Sequence, residues 1–101
     1  MTRAPRHLSR DARQLFTAIV DEYELEPHHL AILITSLEAF DRSCQARDLV
    51  VGSGILIKGR LGDIRVNPAV AIERNARTQF LAGIKALGLD LEALTPPKQR
   101  R

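Results

Sequence analysis

The sequence has one cysteine, Cys44, and no tryptophan, and aromatic residues make up 4% of its 101 residues. A single cysteine excludes an internal disulfide framework and a zinc site built from several cysteines. At a helical position near Phe40, Cys44 is predicted to be a small buried residue. The longest apolar run, 30–34, is far shorter than the roughly 20 residues needed to span a bilayer. The first 15 residues contain no apolar segment typical of a signal peptide. These absences favour a soluble protein of a reducing compartment, without a membrane partner.

Charge is distributed unevenly along the chain, although the net charge is only +3, from 15 basic and 12 acidic residues. Residues 1–13 contain four arginines and one aspartate, and residues 98–101 contain three basic residues. Residues 14–97 contain eight basic and eleven acidic residues, so the middle of the chain is acidic. We therefore expect an anionic partner such as nucleic acid to be held mainly by the two ends.

Apolar residues at steps of three and four predict three helices. Ser9 is a suitable N-cap, Pro27 suits the first position of a helix, and Asn67-Pro68 combines both signals. Gly52-Ser53-Gly54 and Gly88 are typical of helix ends. The predicted helices span residues 10–24, 27–50 and 68–87, and Asp90 is expected to cap a short turn at 91–94.

Two short β-branched segments, 55–58 and 63–66, flank a turn that contains Gly59 and Gly62, which predicts a β-hairpin. Alternation predicts one apolar face and one charged face: Ile55, Ile57, Ile64 and Val66 against Lys58, Asp63 and Arg65. Because an isolated two-stranded hairpin is marginally stable in water, we expect it to pack on the helices or on a neighbouring subunit.

The predicted fold class is mainly α: a small bundle of three helices with a β-hairpin between the second and third. We expect a basic arm at 1–8, one domain at 9–94 with its hairpin at 55–66, and a basic tail at 95–101. The first half of the second helix is apolar on nearly all sides, whereas a helix at the surface of a bundle needs only one apolar face. This helix is therefore expected to be central or to be covered by another subunit. The predicted subunit interface consists of Ile32, Leu33, Leu37 and Phe40.

No combination of residues typical of an active site is found in the sequence. His28 and His29 are adjacent, so on a helix they point about 100° apart and cannot bind one metal ion from one face. The glycine-containing segments lack the spacing and the Lys-Ser/Thr pair of a phosphate-binding loop. We therefore expect no enzymatic activity, no cofactor and no metal.

Nucleic-acid binding is the function that the charges favour. The first two helices suggest a helix-turn-helix, but the second begins Pro27-His28-His29-Leu30, without the Arg, Lys, Asn or Gln that a recognition helix needs. Phosphate contacts from the chain ends and the hairpin fit better, with ordinary solubilising charges as the alternative. The residues predicted to contact DNA are Arg3, Arg6, Arg10, Arg13, Lys58, Arg60, Arg65, Lys98, Arg100 and Arg101.

Several motifs, in order along residues 7–91, resemble the phage terminase small-subunit family. They are His7-Leu8-Ser9, then Tyr23-Glu24-Leu25-Glu26-Pro27-His28-His29-Leu30, and Leu37-Glu38-Ala39-Phe40-Asp41-Arg42. The most specific part is Val66-Asn67-Pro68-Ala69 followed by Ile72-Glu73-Arg74-Asn75-Ala76-Arg77, Phe80-Leu81 and Leu87-Gly88-Leu89-Asp90. It is similar to the Asn-Pro-Ala and Glu-Arg-Asp-Ala-Arg-like third helix of that family.

The resemblance implies a non-catalytic protein of the bacterial host cytoplasm during phage assembly. Such subunits bind phage DNA, assemble into ring-shaped homo-oligomers, deliver DNA to the large terminase subunit, and modulate its ATPase and nuclease. A ring would explain the apolar excess of the second helix. Two alternatives stay open: a small helix-turn-helix transcriptional regulator, and a structural adaptor without a DNA role.

Overall fold

The computed structural model describes residues 2–89, which form three helices and one antiparallel β-hairpin. This confirms a mainly helical fold with the hairpin between the second and third helices. The predicted turn at 91–94 and the basic residues of the tail lie outside the described residues. The elements are α1 (Arg10–Glu22), α2 (Pro27–Ser53), β1 (Leu56–Lys58), β2 (Ile64–Val66) and α3 (Pro68–Leu87).

Side-chain caps begin α1 and α3, as predicted. The Ser9 hydroxyl accepts the backbone N–H of Ala12 at 3.1 Å, and the Asn67 side-chain oxygen accepts the backbone N–H of Ala69 at 3.0 Å. These bonds satisfy N–H groups that have no partner within a helix. Gly88 ends α3 at φ 66°, a left-handed conformation that glycine adopts without steric penalty.

Two helix ends differ from the prediction. α1 ends at Glu22, before residue 24, because the following Tyr23 adopts an extended backbone. α2 continues through Ser53, beyond residue 50, and ends where Gly54 takes a φ of 91°. Gly52 is thus a helical residue, and the chain leaves the helix at the second glycine of the segment.

α2 and α3 pack closely and run antiparallel. Ser36 lies against Gly83, while Phe40, one turn later in α2, meets Phe80, one turn earlier in α3, with ring centroids 5.2 Å apart. A Cβ atom at Gly83 would overlap the Ser36 hydroxyl. That hydroxyl is buried and donates to the carbonyl oxygen of Ile32 at 2.7 Å. The missing side chain therefore sets how closely the two helices approach.

α1 lies back along the first half of α2. The backbone N–H and the hydroxyl of Ser9 both donate to the carboxylate of Asp41, the former at 2.8 Å. Asp41 lies about 21 Å along α2 from Pro27, close to the roughly 20 Å length of α1. The two helices are therefore antiparallel. The buried core between the elements contains Leu8, Ala12, Phe16, Ile19, Leu33, Leu37 and Leu87.

The segment that precedes α1, part of the expected basic arm at 1–8, contacts the bundle. Leu8 belongs to the buried core, and Ala4 packs against it. The backbone N–H of Leu8 donates to the carbonyl oxygen of Pro5 at 3.3 Å. The Nε2 atom of His7 lies 2.7 Å from a carboxylate oxygen of Glu38. These contacts hold residues 4–8 in place.

Candidate functional site

The hairpin has a different register from the one that alternation predicts. Its cross-strand pairs are Leu56 with Val66, Ile57 with Arg65, and Lys58 with Ile64. Directly paired residues point to the same face of a sheet, so Lys58 shares a face with Leu56 and Ile64. Arg65 shares the opposite face with Ile57. The predicted separation into one apolar and one charged face is wrong, because a one-residue shift moves a whole strand to the other face.

A tight loop at 60–62 produces this register. The backbone N–H of Gly59 donates to the carbonyl oxygen of Asp63 at 2.6 Å, and that of Gly62 donates to Gly59 at 3.0 Å. Gly62 has a φ of 86°, as in three-residue hairpin loops that end in a left-handed residue. Arg60 and Leu61 occupy the tip, and Leu61 is 92% exposed.

Asn67 anchors the base of the hairpin. Its backbone N–H donates to the carbonyl oxygen of Ile55 at 2.7 Å, and its side-chain nitrogen donates to that of Gly54 at 2.9 Å. The same side chain caps α3 through Ala69. Because Asn67 is buried, these bonds are shielded from competing water, and the hairpin is tied to both flanking helices.

The hairpin leaves the apolar side chains of one face in solvent. Leu56, Ile64 and Val66 are 60%, 73% and 59% exposed. Of the two expected partners, the helices of the same chain therefore do not cover this face, while Ile57 on the other face is half-buried. Further exposed apolar residues lie near the end of α2, at the start of β1 and on α3: Leu49, Val51, Ile55, Ile72 and Leu81.

A groove of about 470 Å³ runs along the surface between α2 and α3, beside the base of the hairpin. Arg47 projects into it from α2, and Glu73 and Arg77 project from α3, paired at 3.6 Å between Oε2 and Nη1. Arg47 and Arg77 are not among the predicted site residues, because only the pairing of the two helices brings them to one groove. The apolar lining of the groove consists of Phe40, Val50, Ile55, Val70, Phe80 and Leu81.

The basic residues predicted to bind DNA form two separate groups within residues 2–89. Arg10 and Arg13 share a shallow exposed depression on the outward side of α1, and Arg3 and Arg6 are exposed in the preceding segment. The start of α1 lies beside Asp41, so about 18 Å of α2 separates Arg10 and Arg13 from the helix end that leads to the hairpin. Arg3 lies farther away, since Thr2 lines the hollow at the connection between α1 and α2. The second group is Lys58, Arg60 and Arg65, and the tail residues Lys98, Arg100 and Arg101 lie outside the described part of the chain.

Acidic residues lie at the opposite end of α2 from the hairpin. Asp21, Glu24 and Glu26 line a hollow at the connection between α1 and α2. The 27 residues of α2 place this connection about 40 Å from the helix end that leads into the hairpin. The basic hairpin and these three carboxylates therefore lie at opposite ends of α2, although Thr2 also lines the hollow and brings the exposed Arg3 close to it.

The predicted subunit interface needs a correction. Leu33 and Leu37 are both 0% exposed within the protomer, because α1 and α3 cover them, and they have no surface to offer a second subunit. Ile32 and Phe40 are half-buried. Phe40 lines the groove between α2 and α3, and Ile32 lines a separate hollow beside Gly83.

The polar groups most suggestive of chemistry have structural partners. The backbone N–H of Glu26 donates to Nδ1 of His29 at 3.4 Å, which caps the start of α2. Across residues 2–89, no group of His, Cys, Asp and Glu is arranged to hold a metal ion. Cys44 is half-buried beside the guanidinium of Arg47, with 3.9 Å between sulfur and nitrogen.

Comparisons with known proteins yield no relative for this chain. No protein-family model, curated protein or solved structure matches it. Within the described residues, every helix is too short or too polar to cross a membrane. The motifs of the sequence and the geometry of its exposed surfaces are therefore the two indications of function.

Proposed function

We propose that this chain is the small subunit of a phage terminase, a non-catalytic protein that self-associates and binds viral DNA. In this role it delivers DNA to the large ATPase and nuclease subunit and modulates that subunit. The motif resemblance over residues 7–91 supports the proposal. The structural observation that carries it is a basic hairpin, which projects from the bundle and has uncovered apolar side chains at its base.

The DNA-binding part follows from the position of the charges. Lys58, Arg60 and Arg65 are opposed by a single carboxylate, Asp63, within the hairpin. The acidic hollow lies at the far end of α2, so the hairpin is the favoured approach for a polyanion. Arg10 and Arg13 offer a second phosphate-binding region farther along the same protomer.

The uncovered apolar surface supports the self-association part of the proposal. A two-stranded sheet with three-residue strands is marginal on its own. Covering Leu56, Ile64 and Val66 with a second copy would remove apolar surface from water, at about 25 cal/mol per Å². In a ring, each added subunit brings another basic hairpin, and several weak DNA contacts combine into tight binding.

A helix-turn-helix regulator receives less support from the geometry. The two helices of that motif cross at about 90–120°, whereas α1 lies antiparallel to α2 and meets it again at Asp41. A regulator would protect a short palindromic operator and would leave the large subunit's ATPase unchanged. An adaptor without a DNA role would show no salt-dependent DNA binding.

The proposal is tested by salt-dependent DNA binding, with light scattering and large-subunit ATPase assays in parallel. The slope of log K against log salt is negative, and each lost phosphate contact reduces its magnitude by about 0.9. For the double variant K58Q/R60Q, we expect the magnitude of the slope to fall by roughly twice that value. A similar fall is expected for R10Q/R13Q. The control K85Q removes one exposed charge near the end of α3 and is expected to leave the slope unchanged. A monomer that neither binds DNA nor affects the ATPase would refute the proposal.

A further inference from the structure

We infer that the hairpin is a DNA-bending arm, in which Leu61 inserts between base pairs from the minor groove of duplex DNA. Lys58, Arg60 and Arg65 would hold the phosphates around the insertion point. This inference rests on the proposed DNA-binding function and specifies how the protein contacts the duplex. Leu61 is exposed at the tip of the hairpin, with Arg60 beside it and Lys58 and Arg65 on the two strands below.

The conformation of the turn does not account for Leu61. Gly62 supplies the positive φ that the loop needs, and the position of Leu61 accepts most residues in such turns. Even so, Leu61 is more exposed than any other large apolar side chain within residues 2–89. Leucine is among the apolar residues that minor-groove proteins insert between base steps to kink DNA.

The hairpin has the reach and the anchorage of an arm. The step from Leu56 to Gly59 covers about 10 Å of extended chain, and the loop adds further length. At the base, the backbone and side chain of Asn67 hold both Ile55 and Gly54. A wedge must keep its position while it separates stacked bases, and this base is joined to two long helices.

The cations are arranged to contact both walls of a groove. Lys58 and Arg65 point to opposite faces of the ribbon, and Arg60 adjoins Leu61 at the tip. Arg65 is held by its ion pair with Asp63, at 3.0 Å between Nε and Oδ2. The two paired side chains lie over the backbone of Gly59, where a Cβ atom would collide with both of them. Arginine is also well suited to the negative potential of a narrow minor groove.

Duplex DNA fits these features better than other partners of an exposed apolar tip. An interface with a second copy would use the larger apolar cluster at the hairpin base, which Leu61 extends beyond. A single leucine beside three cations also offers little apolar area for insertion into lipid. The tip offers no Asn or Gln for reading base edges, which is consistent with binding through shape and charge.

The test measures bending of a short duplex labelled at both ends, by fluorescence energy transfer, with the full-length protein. We expect wild type to increase the transfer and L61S to lose most of that increase, with several-fold weaker affinity and an unchanged salt slope. L61F keeps a large apolar wedge and is the matched control, so it is expected to bend DNA like wild type.

The outcomes separate this inference from the proposed function. DNA binding with equal bending by wild type and L61S would overturn the wedge and leave the proposed function standing. Wild type that binds no DNA at low salt would overturn both. Vesicle binding and oligomer mass are measured for the same two proteins. If L61S bends DNA like wild type but binds vesicles containing phosphatidylserine more weakly, Leu61 is a membrane contact. If it bends DNA like wild type but forms a smaller oligomer, Leu61 is a subunit contact.

Discussion

The side-chain nitrogen of Asn67 lies 2.9 Å from the carbonyl oxygen of Gly54, across the base of the hairpin. The oxygen of the same amide caps α3 through the backbone N–H of Ala69. One buried side chain thus joins the end of α2, the hairpin and the start of α3. Because a buried amide with both ends bonded is hard to replace, Asn67 is a sensitive test of how the hairpin is held.

The variant N67A removes both bonds and is expected to lower the free energy of unfolding by about 1–3 kcal/mol. N67S retains an oxygen for the α3 cap but cannot reach Gly54, so an intermediate loss is expected. Urea denaturation followed by circular dichroism measures both values. Equal stability of N67A and N67S would show that the α3 cap contributes nothing, and wild-type stability of N67S would show the same for the bond to Gly54.

Substitution of Gly83 by alanine is expected to push α2 and α3 apart. Its Cβ would overlap the Ser36 hydroxyl, and overpacking of this kind costs about 1–3 kcal/mol. The matched control is G52A, at a helical glycine where a Cβ meets nothing within 4 Å. G52A is expected to stabilise the protein by about 0.4–1 kcal/mol. Thermal unfolding of both variants should therefore shift in opposite directions, and a shift of G83A upward would contradict the close packing.

Ser9 and Asp41 are expected to be energetically coupled, since two hydrogen bonds join them. S9A loses the cap of α1 and one of these bonds, at about 0.5–2 kcal/mol, and D41A leaves both Ser9 donors without this acceptor. In a double-mutant cycle, we expect the combined loss to be smaller than the sum by roughly 1 kcal/mol. Strict additivity in denaturant titrations would mean that the contact does not hold α1 to α2.

The apolar residues at the hairpin base are expected to drive self-association. L56T/V66T replaces them with residues that retain strand propensity but remove apolar area. We expect light scattering after gel filtration to show a lower mass than for wild type. The control A18S alters an exposed position of α1 and should leave the mass unchanged. An unaltered mass for L56T/V66T would place the interface elsewhere.

Local signals account for the elements that the sequence alone determined. Ser9 and Asn67 cap helices because their side chains reach N–H groups two or three residues away. Pro27 and Gly88 mark helix boundaries because each residue's own backbone preference suits that position. Proline fits the first turn of a helix, and glycine fits the left-handed conformation that ends one. The glycines of the hairpin loop act in the same way. Such interactions involve neighbours in the chain and require no knowledge of the fold.

The tertiary structure decided the properties that depend on distant residues. It buried Leu33 and Leu37 beneath α1 and α3, although their pattern alone was equally compatible with a subunit interface. It also left Leu56, Ile64 and Val66 in solvent, although their alternation was equally compatible with packing on the helices. Which surface remains exposed depends on how separate elements pack, and short-range periodicity carries no information about that.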